Sequence, residues 1–257
     1  MENILMLNKL SLLGMGCILT MGAAHANGFY AGGSVGYQAM YDSRPGGENT
    51  LDGLTYIVTS NTSGIFQAHG VMGSLFVGYG MNVGDMGWLA FEINGELANN
   101  KMQTYDSLYV SVPANPISTS LAGSQTLTEK GALGITARPG INFSNNAKLY
   151  GIVGYERGRF NGQGTGIFVT DGIPSSLAVN QTHGLNGFRY GAGVMFPITT
   201  QVSLRAEINQ TQYKEFELSS TNGDDAIDDA YKPTTTATSI GLVWSFDAPA
   251  VSSSVTK

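Results

Sequence analysis

Residues 88–99 read WLAFEINGELAN. Leu89, Phe91, Ile93 and Leu97 alternate with Trp88, Glu92, Asn94 and Glu96, while Ala90 and Gly95 are neutral. A period of two is the mark of a β-strand, whose successive side chains point to opposite faces. Here one face is oily and the other acidic. Two architectures accept such a strand. In a soluble sandwich the oils pack a core and the acids meet water. In a membrane barrel the oils face lipid and the acids point into the barrel. Only the rest of the chain can decide which side is wet.

Seven further segments alternate in the same way: 28–42, 68–83, 126–144, 147–160, 184–199, 200–218 and 235–246, with the opening segment extending from 87 to about 104. Their connections alternate in length. Gly84-Asp85-Met86, Asn145-Asn146 and the bend after Pro197 are tight and carry turn-forming residues. The other connections, 43–67, 105–125, 161–183 and 219–234, are long and rich in Ser, Thr, Asn, Asp and Gly. A soluble sandwich has no reason to sort its loops by parity, because both of its ends meet the same solvent. An outer-membrane barrel does: short turns at one end, long loops at the other.

One face can be followed through all eight segments. It carries Phe29, Val35 and Tyr37, then Val71, Leu75 and Val77, then the four oils of the opening stretch. It continues through Leu133 and Ile135, Leu149 and Val153, Phe188 and Tyr190, Leu204 and Ile208, and Ile240 and Leu242. Its middle holds no charge, and aromatic residues recur near its ends, as expected of girdles at two membrane interfaces. The opposite face carries Glu92, Glu96, Lys130, Arg138, Glu156, Arg189, Arg205 and Glu207, with glycine and serine between them. Eight strands enclose a space only just wide enough for side chains. Charges there must be paired, and the equal numbers of acids and bases predict a salt-bridged interior acting as a structural plug or a gate. Glu92 and Glu96 should meet bases among Lys130, Arg138, Arg189 and Arg205, with Arg138 and Lys130 on the neighbouring strand foremost.

The reading is therefore all-β: an eight-stranded antiparallel up-and-down transmembrane β-barrel over 27–246, with short periplasmic turns and four long extracellular loops. Residues 1–26 are expected to be a secretory signal peptide, from Lys9, the apolar run Leu10–Ala24 and the small-residue cleavage site Ala24-His25-Ala26. Initiation at Met6 would give a cleaner start. Cleavage after Ala26 removes Cys17, the single cysteine of the chain, and with it any disulfide; Gly14-Met15-Gly16 before Cys17 lacks the leucine of a lipoprotein signal. Residues 247–257 are expected to be a short, disordered periplasmic tail. A net charge of −6 excludes a non-specific nucleic-acid binder. The 35 glycines and the 12% charged residues both depart from soluble averages in the direction a barrel requires.

GFYAGGSVGYQ near the start, the four hairpins and the closing SIGLVWSF together resemble the small eight-stranded outer-membrane proteins, the OmpA-like transmembrane domain and the opacity-protein-like porin family. The resemblance spans about 28–246 and concerns architecture more than activity. It implies a Gram-negative cell outer membrane as location, reached by export through the periplasm. It also implies that Ile240, Leu242, Trp244 and Phe246 form the alternating, aromatic-ended signal read by the barrel-assembly machinery. Here the chain departs from the usual form, since eleven residues follow Phe246. That tail is far too short to fold as the periplasmic domain that OmpA-like proteins often carry.

Signals for chemistry are weak. His69 and His183 each begin a strand near the long-loop end, outside any motif of lipid A-modifying barrels. Asp224, Asp225, Asp228 and Asp229 lack EF-hand spacing and read as a solvated acidic loop tip. Arg157 and Arg159 are candidates for contact with lipopolysaccharide phosphates. No catalytic residue, metal or cofactor is expected. The function this supports is a monomeric, non-enzymatic surface protein, structural and serving as an adhesin or host-contact protein through its loops. Its partners would be outer-membrane lipid and lipopolysaccharide, the barrel-assembly machinery and a host or extracellular ligand, with no nucleic acid. A narrow porin-like channel for small solutes is the first alternative and a lipid A-modifying enzyme the second.

Overall fold

The computed structural model describes residues 28–42, 57–65, 67–111, 118–144, 146–170, 173–222 and 225–246. Residues 1–26, expected to be a signal peptide, residues 247–257, expected to be a tail, and Asp224 lie outside them. Among the described residues there are twelve strands: β1 (Gly28–Asp42), β2 (Ile57–Ile65), β3 (Gln67–Val83), β4 (Gly87–Ala98), β5 (Lys101–Ser111), β6 (Ser118–Asn142), β7 (Lys148–Thr170), β8 (Ile173–Pro197), β9 (Val202–Tyr213), β10 (Phe216–Asn222), β11 (Asp225–Tyr231) and β12 (Pro233–Ser245). They resolve into eight staves, because short breaks divide β2 from β3, β4 from β5, β9 from β10 and β11 from β12. Each stave is antiparallel to its neighbours in sequence. The sheet closes when β1 pairs with β12, Val35 facing Ile240 and Gly33 facing Leu242. Among the described residues the closed ring of β1, β3, β4, β6, β7, β8, β9 and β12 has no edge strand, the condition for burying β-structure in lipid.

The three tight turns lie where the sequence places them. Gly84 takes a left-handed φ of 64° in the first, and Asn146 takes 60° in the second, a conformation that asparagine tolerates better than most residues. In the third, Thr199 Oγ1 accepts hydrogen bonds from the amides of Gln201 at 3.2 Å and Val202 at 2.9 Å.

The opposite end differs from expectation. The described parts of 43–67, 105–125, 161–183 and 219–234 are paired strand, not irregular loop. The β7–β8 ladder runs unbroken to Thr170 facing Ile173, β5 and β6 pair as far as Ser111 facing Ser118, and β10 and β11 form a hairpin containing Asp225, Asp228 and Asp229. The reason is physical. Beyond the membrane both faces of a strand meet water, so alternation of oil and polar disappears while Thr, Val and Ile still favour extended backbone. Composition reads such strands as loops.

The outer face is apolar and exposed. Leu97 is 76% exposed, Leu75 75% and Leu133 70%; Phe91, Ile93, Ile135, Ile240, Leu242, Trp244 and Phe246 are likewise exposed. Exposed apolar area on this scale is untenable in water but is what a bilayer solvates. In WLAFEINGELAN the oils point outward, and Glu92 and Glu96 are buried in the lumen. No helix among the described residues is long and apolar enough to cross a membrane; the strands do so instead.

Candidate functional site

Among the described residues, five acids (Glu92, Glu96, Glu129, Glu156 and Glu207) and three arginines (Arg138, Arg189 and Arg205) are buried in the lumen. Period-two alternation brings them there from β4, β6, β7, β8 and β9, and they form two layers.

The layer nearer the tight turns is a ring of two acids and two bases. Arg138 reaches Glu92 at 2.7 Å and Glu207 at 3.2 Å. Arg205 reaches Glu92 at 2.7 Å and Glu207 at 3.4 Å. Tyr30 donates to Glu92 at 3.2 Å and Tyr150 to Glu207 at 2.8 Å, while the Arg205 guanidinium lies 3.5 Å from the centre of the Phe76 ring. Each charge thus meets opposite charge or an aromatic face, the conditions under which buried ions are tolerable. Small neighbours make the room: a Cβ on Gly193, which faces Tyr150 across the ladder, would lie 2.6 Å from the Tyr150 ring.

The second layer centres on Arg189. It holds Glu96 in a two-pronged grip at 2.6 and 2.7 Å, pairs with Glu156 and donates to Thr211 at 3.1 Å. Asn94, with its amide oxygen turned to Arg189, accepts from it at 3.0 Å. Tyr213 donates to Glu156, its ring seated against Gly158 and Gly187. Phenylalanine at Tyr213 keeps the ring and removes only this donor to a fully buried carboxylate. We expect Tyr213→Phe to lower unfolding free energy by about 1.5–3 kcal/mol, read as the shift in urea midpoint of the refolded barrel.

Lys130 does not belong to this interior. The β6–β7 ladder shifts register between Glu129 and Gly131, and Gly131 has a φ of 150°. This β-bulge inserts one residue on β6, so Lys130 becomes exposed and Glu129 is buried in its place. Glu129 accepts from Asn100 at 3.4 Å, and Asn100 donates to Gln38 at 2.7 Å. Strict alternation counted back from Arg138 picks Lys130. The signal missed was the glycine beside it, a residue that often marks a bulge inside a strand. The interior is therefore acid-rich, five to three among the described residues, rather than balanced. Of the bases named for Glu92 and Glu96, Arg138 and Arg205 serve Glu92, and Arg189 serves Glu96.

Apolar side chains cover the ionic layers at both ends. Trp88, Tyr150, Ile152, Met195 and Val243 pack toward the tight turns, where Lys148 lies 5.8 Å from the centre of the Trp88 ring. Met40, Met102, Leu127, Phe160, Tyr213, Phe216 and Tyr231 pack toward the long hairpins.

The remaining candidates lie apart. Arg157 and Arg159 are exposed on β7, beside the apolar belt. His69 stacks on the exposed Tyr37 with ring centres 5.8 Å apart, while His183, opposite the fully buried Phe160 in the ladder, lies 4.9 Å from Phe216. The two histidines sit on opposite faces of the wall and share no site. No group of His, Cys, Asp and Glu among the described residues is arranged to hold a metal ion. Ile240, Leu242 and Trp244 on β12, with Phe246 just beyond it, form an exposed stripe next to the closing seam.

The sequence profile of the outer membrane protein beta-barrel domain matches residues 10–246, nearly the whole chain. The chain belongs to this family. It is an outer-membrane β-barrel, and the apolar outer belt is its lipid contact. No curated protein matches it. Among solved structures it is similar to Neisserial surface protein A, at 14% identity and a TM-score of 0.35, covering 86% of this chain and 100% of that one. It is also similar to the attachment invasion locus protein of Yersinia pestis, at 16% identity and 0.31, covering 84% and 98%. A major outer membrane protein from Thermus thermophilus aligns at 12% identity and 0.43, covering 86% and 100%.

Proposed function

We propose that this outer-membrane barrel is a closed, non-enzymatic wall protein that works through its surface. The observation that supports this most directly is the filled lumen: two ionic layers with an apolar plug on each side of them. Among the described residues such an interior leaves no water-lined path, so a solute channel is the weaker reading, and the two histidines sit on opposite faces of the wall, His69 on Tyr37 and His183 beside Gln181 and Phe216. The long paired hairpins carry the polar surface that a rigid scaffold presents to ligands. In this reading they point away from the cell and the tight turns lie in the periplasm. The barrel-assembly machinery would read the stripe ending at Phe246, and the hairpins would serve structure and adhesion or host contact.

Planar-bilayer recording tests the closed lumen. The purified barrel is expected to insert without stable conductance steps; reproducible steps altered by Glu92→Gln would make it a pore. A protease-site insertion between residues 170 and 173 tests orientation, with cleavage expected in intact cells.

A further inference from the structure

The belt ends abruptly on one side of the wall. Along β7 the outward residues run Gly151, Val153, Tyr155, Arg157 and Arg159 from the tight-turn end upward. Arg157 faces Leu133 across the ladder, the last belt residue on β6, and Arg159 faces Gly131. The bulge turns Lys130 outward beside Arg159, and Lys101 is exposed on β5, which pairs with the same stretch of β6. Four cations thus gather on three adjacent strands just above exposed leucines. None has a carboxylate within ion-pair distance among the described residues, whereas every buried arginine is paired. Clustered like charges repel, and an anion bound among them would remove that cost.

Arg157 is seated rather than free-swinging. It leans across the wall to β8, where a Cβ on Gly184 would lie 3.1 Å from its Nε and 3.2 Å from an Nη. Below it the lipid face is grooved. Pro139, Gly151, Val153, Ala192 and Ile208, together with the polar Gln210 and Thr236, border a shallow, open hollow of ≈ 540 Å³. From Gly151 to Arg157 the strand climbs about 20 Å, the reach of a fatty acyl chain lying in the bilayer.

We propose that this wall holds a phosphorylated glycolipid of the outer leaflet, its phosphates among Lys101, Lys130, Arg157 and Arg159 and one acyl chain in the groove beneath. The chemistry required is joint: a phosphate for the cations and a hydrocarbon tail for the groove. A soluble polyanion would satisfy only the first. Choosing the outer leaflet rests on the orientation proposed above; binding in detergent does not, so the two can fail separately.

Native mass spectrometry of the detergent-purified barrel, titrated with bis-phosphorylated lipid A, tests it. A single retained lipid is expected, with dephosphorylated lipid A binding much more weakly to the same wild-type protein. Lys130→Gln, Arg157→Gln and Arg159→Gln together should weaken binding about 100-fold, near 1 kcal/mol for each cation at a membrane surface. Gly184→Val should displace Arg157, and Ala192→Phe should fill the groove; each should weaken the lipid without changing heat-modifiable migration on a gel. Should the triple variant misfold, the wild-type comparison of the two lipids still decides. Equal binding of the phosphorylated and dephosphorylated lipids would overturn the proposal. So would sucrose octasulfate displacing the lipid completely with Ala192→Phe without effect, which would make the patch a soluble-polyanion site.

Discussion

Replacing Arg138 with methionine is expected to destabilise the barrel by about 3–5 kcal/mol, the cost of leaving buried charge without its partner. Arg138 bridges Glu92 and Glu207, and each of those also meets Arg205. With Arg138 gone, two buried carboxylates share one guanidinium. The loss should be partly reversible by a second change. Glu207→Gln in the Arg138→Met background restores neutrality, since Arg205 and Glu92 remain paired at 2.7 Å, and Tyr150 keeps an acceptor. The double variant should therefore be more stable than Arg138→Met alone, a coupling of the sign and size expected within one charge network. Urea titration of barrels refolded into bilayers measures both. If Arg138→Met shifts the midpoint no more than an exposed-residue control such as Lys101→Met, the ring does not hold the wall together.

The opening stretch shows how much of this was legible. Its alternation gave strand β4 but not its environment. Environment came from the other seven segments, because loop sorting and a charge-free face are properties of the set. Residue types on the lumen face follow from counting by twos, which places Glu92, Glu96, Arg138, Glu156, Arg189, Arg205 and Glu207 correctly inside. Counting fails in two places. At Lys130 a bulge changes the phase, and the phase depends on the φ of Gly131, which no hydrophobic pattern encodes. In the outer hairpins the pattern vanishes, because strands wet on both faces have no reason to alternate. Partner identity was legible only for the neighbouring strand, where Arg138 meets Glu92 as expected; across the lumen it was not, for a third reason. Arg205 and Glu92 meet across the lumen from strands 113 residues apart, and which strands face each other across a barrel is fixed by tilt and stagger rather than by adjacency.

The bulge itself yields the second large effect. Valine at Gly131 should be among the most damaging single substitutions in the wall. A φ of 150° is one that side chains rarely adopt, costing about 1–3 kcal/mol. A Cβ there would also lie 2.5 Å from the Glu96 carbonyl oxygen, and forcing that backbone apart adds about 1–3 kcal/mol more. The same geometry predicts a rescue. Glu129 already faces Phe160 and Gly131 already faces Arg159, consecutive positions on β7. Deleting Lys130 therefore joins the two halves of β6 into a regular ladder with Glu129 still inward, and should cost about 1 kcal/mol or less, as for a surface change. In that shortened strand residue 131 returns to extended backbone, so Gly131→Val should become nearly neutral. Urea midpoints for the two single changes and their combination give a cycle whose coupling should approach the whole cost of the valine. Additive losses would mean that the bulge is not what makes glycine necessary at this position. The deletion should also weaken phosphorylated-lipid binding, because it removes the cation that the bulge presents beside Arg159.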